Sequence, residues 1–342
     1  MFQYTPMRHL IALCLLFSVQ QLAAQQPSVK QLRETALNFQ RQEDFGNALM
    51  ILSRALEMEP LNLSLLKDIA NTLYLAGDYK QAATRILPLT DRTDADEQVF
   101  QIAGDIYTIQ EDWKQADKVY KKGLKKFPLS GPLYSKYGEM FWLQEKPADA
   151  IAQWENGLKA DPVYPLNYYH AAKFYFTTAD KARSIIYGEI FVNQESFTAR
   201  TAEIKVLLLE SYKRVYMSGD SKKYYVKEAT PFETKVLAIL NKQTDWALRG
   251  ITAENLLAIR TRFITDWFED EASARFPFQL FELHRNLLRE GLFEAYNQWI
   301  FGIAADPNGY QFWAKTHEEE QARYSLYQRN KLFKMPPGQY YF

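Results

Sequence analysis

At 342 residues the chain is long enough for one large domain or two ordinary ones. Its 41 Lys and Arg residues balance 41 Asp and Glu, which argues against broad electrostatic binding of nucleic acid. With 47% hydrophobic residues, 24% charged and only 14 glycines, it is a packing chain suited to helices; the unusual figure is 15% aromatic.

In chain order, residues 1–24 read as an export signal. Arg8 and His9 form a short basic start. Leu10 to Val19 form an apolar run too short to span a membrane, and Leu22-Ala23-Ala24 is a cleavage site with Gln25 first in the mature chain. The expected address is the periplasm, with outer-membrane association or secretion as variants of it. Cys14, the only cysteine, lies inside the apolar run between Leu13 and Leu15, unlike a lipid-modified cysteine with its small preceding residue. Loss of the signal removes that thiol, so disulfides and cysteine-based zinc sites are not expected.

From residue 29 onward a ladder with one constant step appears. Ala36, Ala70, Gly104, Gly138 and Ala172 share one register, and Ala48, Ala82, Ala116 and Ala150 share another. Small residues at these points let two helices cross closely. Phe45, Tyr79 and Trp113 follow turns reading Glu43-Asp44, Gly77-Asp78 and Glu111-Asp112. Ala55, Leu89, Gly123 and Gly157 recur in turn, and Pro60, Pro128 and Pro162 close repeats, since proline ends the second helix. Asp94 stands where the second repeat would carry its proline. A period of this length is the mark of a stacked helical array.

The pattern resembles the tetratricopeptide repeat, a helix–turn–helix unit of about 34 residues. Four repeats fit at 29–62, 63–96, 97–130 and 131–164, and a degenerate fifth occupies 165–197, where Ala182 arrives about two residues early. Residues 25–197 are thus expected to form an all-α, right-handed solenoid, with 198–342 as an irregular, aromatic-rich helical region. In that region helices are expected over Thr198–Met217, from Pro231 to about Leu240, over Glu254–Phe268 behind Thr252, and over Tyr310–Leu332, with an exposed loop at 219–223. A degenerate repeat-like unit is expected near 277–310, its turn at Gly291-Leu292-Phe293 and with Tyr296 at a normally small position. Residues 261–342 hold 19 aromatics, read either as a cap on the array or as a docking surface using Trp299 and Trp313.

Motifs for chemistry are lacking in the sequence. His170, His284 and His317 are far apart, and no paired-histidine motif, nucleophile elbow or phosphate-binding glycine loop occurs. No cofactor and no metal are expected. Lys118, Lys121, Lys122, Lys125 and Lys126 read as a solvated helix face, and Glu318-Glu319-Glu320 as another.

The resemblance implies that the fifth, ninth and twelfth positions of each first helix line a concave groove. These are Arg33, Leu37 and Gln40; Lys67, Asn71 and Tyr74; Gln101, Asp105 and Thr108; Ser135, Glu139 and Trp142; Tyr169, Lys173 and Phe176. Chaperone-binding relatives grip a peptide carboxylate with a basic clamp. Lys67 and Asn71 match its first half, but Ile102, Ser135 and Glu139 do not fit the rest. The expected partner is therefore a protein or peptide held by shape and apolar contact, without nucleic acid and without an integral membrane segment in the mature chain. The exported look, similar to tetratricopeptide-repeat proteins of the Bacteroidota, suits a non-enzymatic scaffold in an envelope complex. Two alternatives are a carbohydrate or small-ligand binder that stacks sugars on Trp142, Trp299 or Trp313, and a glycan-acting enzyme with a helical C-terminal domain.

Overall fold

A computed structural model describes residues 27–217 and 229–342, and every regular element among them is helical. The expected export signal and the expected 219–223 loop lie outside the described residues. Two compact units form, Met1–Ile106 and Tyr107–Phe342.

The first unit contains α1 (Val29–Arg41), α2 (Phe45–Met58), α3 (Leu63–Leu75), α4 (Tyr79–Ile86) and most of α5 (Glu97–Ile109). Each start has a local cause. Ser28 forms a capping box with Gln31, and Asp44, Asn62 and Asp78 accept the backbone N–H three residues on. Ala36, Ala48, Ala55, Ala70 and Ala82 are fully buried, as helices in close contact require. The second repeat departs from the others because Pro88 ends α4 after eight residues and turns the chain into a 3-10 segment, Leu87–Asp91.

The turn between the helices of a repeat needs one residue in the left-handed region. It is Glu43 (φ 61°), Gly77 (φ 81°), Glu111 (φ 56°) and Glu145 (φ 58°), each one repeat length after the last. The next residue caps the second helix: Asp44, Asp78 and Asp112 do so, but Lys146 offers no acceptor. Lys146→Asp is expected to stabilise the fold by about 1 kcal/mol. Urea denaturation should show a higher midpoint with an unchanged slope.

The second unit continues with α6 (Trp113–Lys126), α7 (Gly131–Leu143), α8 (Pro147–Ala160), α9 (Pro165–Thr177), α10 (Lys181–Gln194) and α11 (Ala199–Met217). Then come α12 (Pro231–Asn241), α13 (Thr244–Ala247), α14 (Ala253–Glu269), α15 (Ala272–Arg275), α16 (Gln279–Arg289), α17 (Phe293–Ala305), α18 (Pro307–Thr316) and α19 (Glu318–Asn330). The glycines at the repeat crossings are tight. A Cβ on Gly138 would stand 2.2 Å from the Trp154 indole, and one on Gly157 would stand 2.3 Å from Asn167.

Helix α10 is buried nearly all round, from Ala182 to Val192, because later helices close over the side that an ordinary repeat leaves open. One continuous core runs from Ala150 to Met335, so the packing has no break near residue 197. The repeat-like unit near 277–310 forms as α16 and α17, with Gly291 in the left-handed region (φ 65°) at their turn. The single helix expected over Tyr310–Leu332 is instead α18 and α19, interrupted at His317. The run Glu318-Glu319-Glu320 supplies the first turn of α19, where negative charge is favoured.

Residues 335–342 fold back into this core. Phe342 packs 5.0 Å from Tyr187 and 5.1 Å from Phe232, and Gln339 Oε1 accepts from the Gln279 backbone N–H at 2.6 Å. Beside them Arg183 donates to both oxygens of Glu233, at 2.6 and 3.0 Å, and to Tyr175 OH at 2.7 Å. Asp180 completes this group, and burial together with the Glu233 charge pushes its carboxyl up to about 7.

Candidate functional site

The first helices carry the residues expected to line a groove, and most of their polar groups bind the next repeat. In the first unit Arg33 donates to both carboxylate oxygens of Asp68, and Gln40 Nε2 donates to Thr72 Oγ1 at 3.0 Å. Lys67 is buried, paired with Asp96 and donating to Gln98 Oε1 at 2.9 Å. The clamp-like match of Lys67 and Asn71 therefore has a structural cause: the lysine serves the neighbouring repeat. Tyr74 leans on Tyr79 at 5.7 Å, and Asn71 and Asp105 are half-buried on α3 and α5.

The second unit repeats this logic. Glu139 sits 3.0 Å from His170 Nε2 and accepts from Lys136 Nζ at 3.3 Å. Burial alone would raise its pKa, but His170 and Lys136 outweigh that and hold the carboxyl below its ordinary range. Tyr169 OH donates to Glu203 Oε2 at 2.6 Å, and Lys173 Nζ lies 2.6 Å from Glu203 Oε1. Phe176 is half-buried with the Arg214 guanidinium 3.9 Å over its ring. Ser135 is fully buried and is no lining residue; the Trp154 indole N–H donates to its carbonyl at 3.2 Å.

Trp142 is the exception. It is 47% exposed, next to Leu143 at 61%, and a recess of about 500 Å³ lies against the pair, walled by Glu145 and Pro147. Its ring rests 6.0 Å from Trp154, which stacks on His170 at 4.9 Å. A buried aromatic-ionic row thus fixes the position of a ring that itself faces solvent.

The docking surface expected at Trp299 and Trp313 needs correction. Trp313 is buried at 8% exposure, its indole N–H donating to Glu294 at 2.8 Å and its ring stacked on His317 at 5.0 Å. Trp299 is half-buried under Lys205 Nζ, 3.7 Å above its ring. Burial pushes that ammonium down to about 7.

Sequence reasoning misses the most polar point of the core. Glu189 on α10 pairs with Arg260 on α14, accepts from Tyr296 OH at 2.7 Å and lies 2.8 Å from His284 Nε2, outside hydrogen-bond geometry. Arg260 Nη1 donates to Asn297 Oδ1 at 2.9 Å. Tyr296 fills its normally small position because its hydroxyl serves this cluster. Among the described residues, no group of three or more His, Cys, Asp or Glu is placed to hold a metal, and no helix is long and apolar enough to cross a membrane.

Helix pairs repeated at one constant spacing and joined by left-handed turns are the architecture of the tetratricopeptide repeat. Residues 40–106 match the tetratricopeptide repeat family. No curated protein sequence matches the chain. Among solved structures the chain is similar to a thermophilic tetratricopeptide repeat protein of Thermus thermophilus, at 18% identity over 53% of this chain and 100% of that one, TM-score 0.45. It is also similar to PilF of Pseudomonas aeruginosa, at 15% identity over 57% and 86%, TM-score 0.46. A third is a tetratricopeptide repeat protein of Parabacteroides merdae, at 15% identity over 75% and 98%, TM-score 0.41.

Proposed function

We propose that the chain is an exported, non-enzymatic scaffold that holds a segment of another protein against the exposed face of α7, within an envelope assembly. The observation behind this reading is Trp142. Tryptophan is enriched among the few residues that dominate protein interfaces, and here a rigidly backed, half-exposed ring stands beside Leu143 and an open recess. The neighbours Glu139, Tyr169 and Lys173 are engaged by their own chain, so they set orientation and leave the affinity to apolar contact. Export rests on the pattern of residues 1–24 and is tested by cell fractionation.

The partner is sought by affinity capture from the envelope fraction. Trp142→Ala is expected to lower its recovery at least about tenfold, the scale of a modest hot spot. The melting temperature should hold, since an exposed side chain changes stability by about 0.5 kcal/mol or less. Undiminished recovery with the alanine variant would refute this docking face.

A further inference from the structure

A second recess, separate from the α7 face, lies in the second unit between α10, α16, α19 and residues 331–334. Its volume is about 440 Å³, within the ~300–1,000 Å³ usual for small-molecule sites. Its walls are unusual in chemistry. Among the described residues, five carboxamides line it, Asn193, Gln194, Gln279, Asn286 and Gln328, and no carboxylate does. Within the described residues the side-chain amides of Gln279, Asn286 and Gln328 make no hydrogen bond to the chain. Gln194 Nε2 donates to the Pro162 carbonyl at 2.7 Å while its Oε1 accepts nothing. Phe197 stands at the rim 75% exposed.

A carboxamide carries both donors and an acceptor and no charge; Asn193 Nδ2 is already spent on the Glu189 carbonyl at 2.7 Å and Tyr296 OH at 2.8 Å, so the donors left for a ligand come chiefly from Gln279, Asn286 and Gln328. A ligand that satisfies several of them must present donors and acceptors together, which hydroxyl groups do. The absence of carboxylates from the walls argues against a cation. The two lysines at the rim do not favour an anion either, because Glu290 already holds Lys331 at 3.0 Å and Lys334 is exposed to water. An exposed ring beside such amides supplies a flat apolar platform for the C–H face of a pyranose. From this juxtaposition we infer that the recess is a binding site for an uncharged sugar, of one to three residues or as a stretch of a longer glycan. The site lies apart from Trp142, so it would let one molecule hold a protein segment and a saccharide together.

Isothermal titration of the full chain with maltotriose, cellotriose and chitotriose tests this. At least one sugar should bind saturably, and Phe197→Ala and Asn286→Ala should each weaken it at least about tenfold. Both residues are exposed, so both variants should keep the wild-type melting temperature, which guards against loss of fold. Sedimentation with insoluble cellulose and chitin separates the sources. Trisaccharide binding, with or without sedimentation, supports the site. Sedimentation without trisaccharide binding overturns it, because a recess of this size would take the short sugar. Silence of all three sugars, equal affinity in the variants, or displacement of the sugar by an uncharged Gly-Ser-Asn peptide would overturn it as well.

Discussion

Glu189→Ala is expected to cost about 3–5 kcal/mol, because it leaves the Arg260 guanidinium buried without its counter-charge. Arg260 is 2% exposed and ringed by Phe293, Tyr296 and Phe301, so water cannot replace the lost carboxylate. Chemical denaturation of the variant measures this directly. A loss under about 1 kcal/mol would mean that the cluster relaxes to solvent. Replacing Glu189 and Arg260 together with apolar residues should cost far less, since a buried pair gains little over hydrophobic packing.

The same cluster sets the acid behaviour. Burial works against ionisation of Glu189, but the Arg260 charge and the His284 and Tyr296 contacts prevail and hold it at about 2. Its folded value is below its unfolded one, near 4.3. The stabilisation is therefore complete above that range and is lost as pH falls toward 2. Burial also lowers His284, against the pull of the Glu189 carboxylate. Its share is present above the unfolded imidazole value, near 6.5, and drains away as pH falls below it. Denaturation midpoints should thus decline first below about pH 6.5 and again below about pH 4. In Glu189→Ala the second decline should be shallower.

Phe232→Ala is the other large loss, about 3–5 kcal/mol. The ring is fully buried at the start of α12 and lies within 5.1–5.6 Å of Trp267, Phe276, Phe278, Tyr341 and Phe342. Its removal opens a cavity under residues 335–342, so carboxypeptidase should trim that segment faster than in the parent chain. Phe232→Leu, which refills most of the volume, should recover much of the loss. An alanine variant with unchanged stability would show that the surrounding rings collapse to close the gap.

What is legible in the residues is whatever repeats locally. Ala48, Ala82, Ala116 and Ala150 are visible because one crossing geometry demands one residue size four times. The turns at Glu43, Glu111 and Glu145 are harder to see, since glutamate does not announce a left-handed backbone as Gly77 does. The groove positions do not distinguish residues that face a partner from residues that face the next repeat. Lys67 looks like a peptide clamp until Asp96 stands beside it. The Glu189 cluster is hidden because Arg260 and Tyr296 lie 71 and 107 positions from the carboxylate they serve. Two signals are nevertheless present: a glutamate inside the apolar run Ile185–Val192, and a tyrosine at the small position 296. A single helix over 310–332 is the wrong expectation because the acidic run 318–320, solvated as expected, also marks the beginning of a helix.

That separation along the chain bears on the order of assembly. An ordinary repeat can complete itself as soon as its neighbour is made, since its contacts are nearest-neighbour ones. Helix α10 cannot. Its carboxylate waits for Arg260, His284 and Tyr296, and its ring Tyr187 waits for Phe342. During synthesis from the N-terminal side, the leading repeats can mature while α10 keeps an uncovered apolar flank until the last helices arrive. Contacts of such long span slow a fold and prolong the exposure of sticky surface. A chain released short of those residues should thus be aggregation-prone, with α10 as its adhesive.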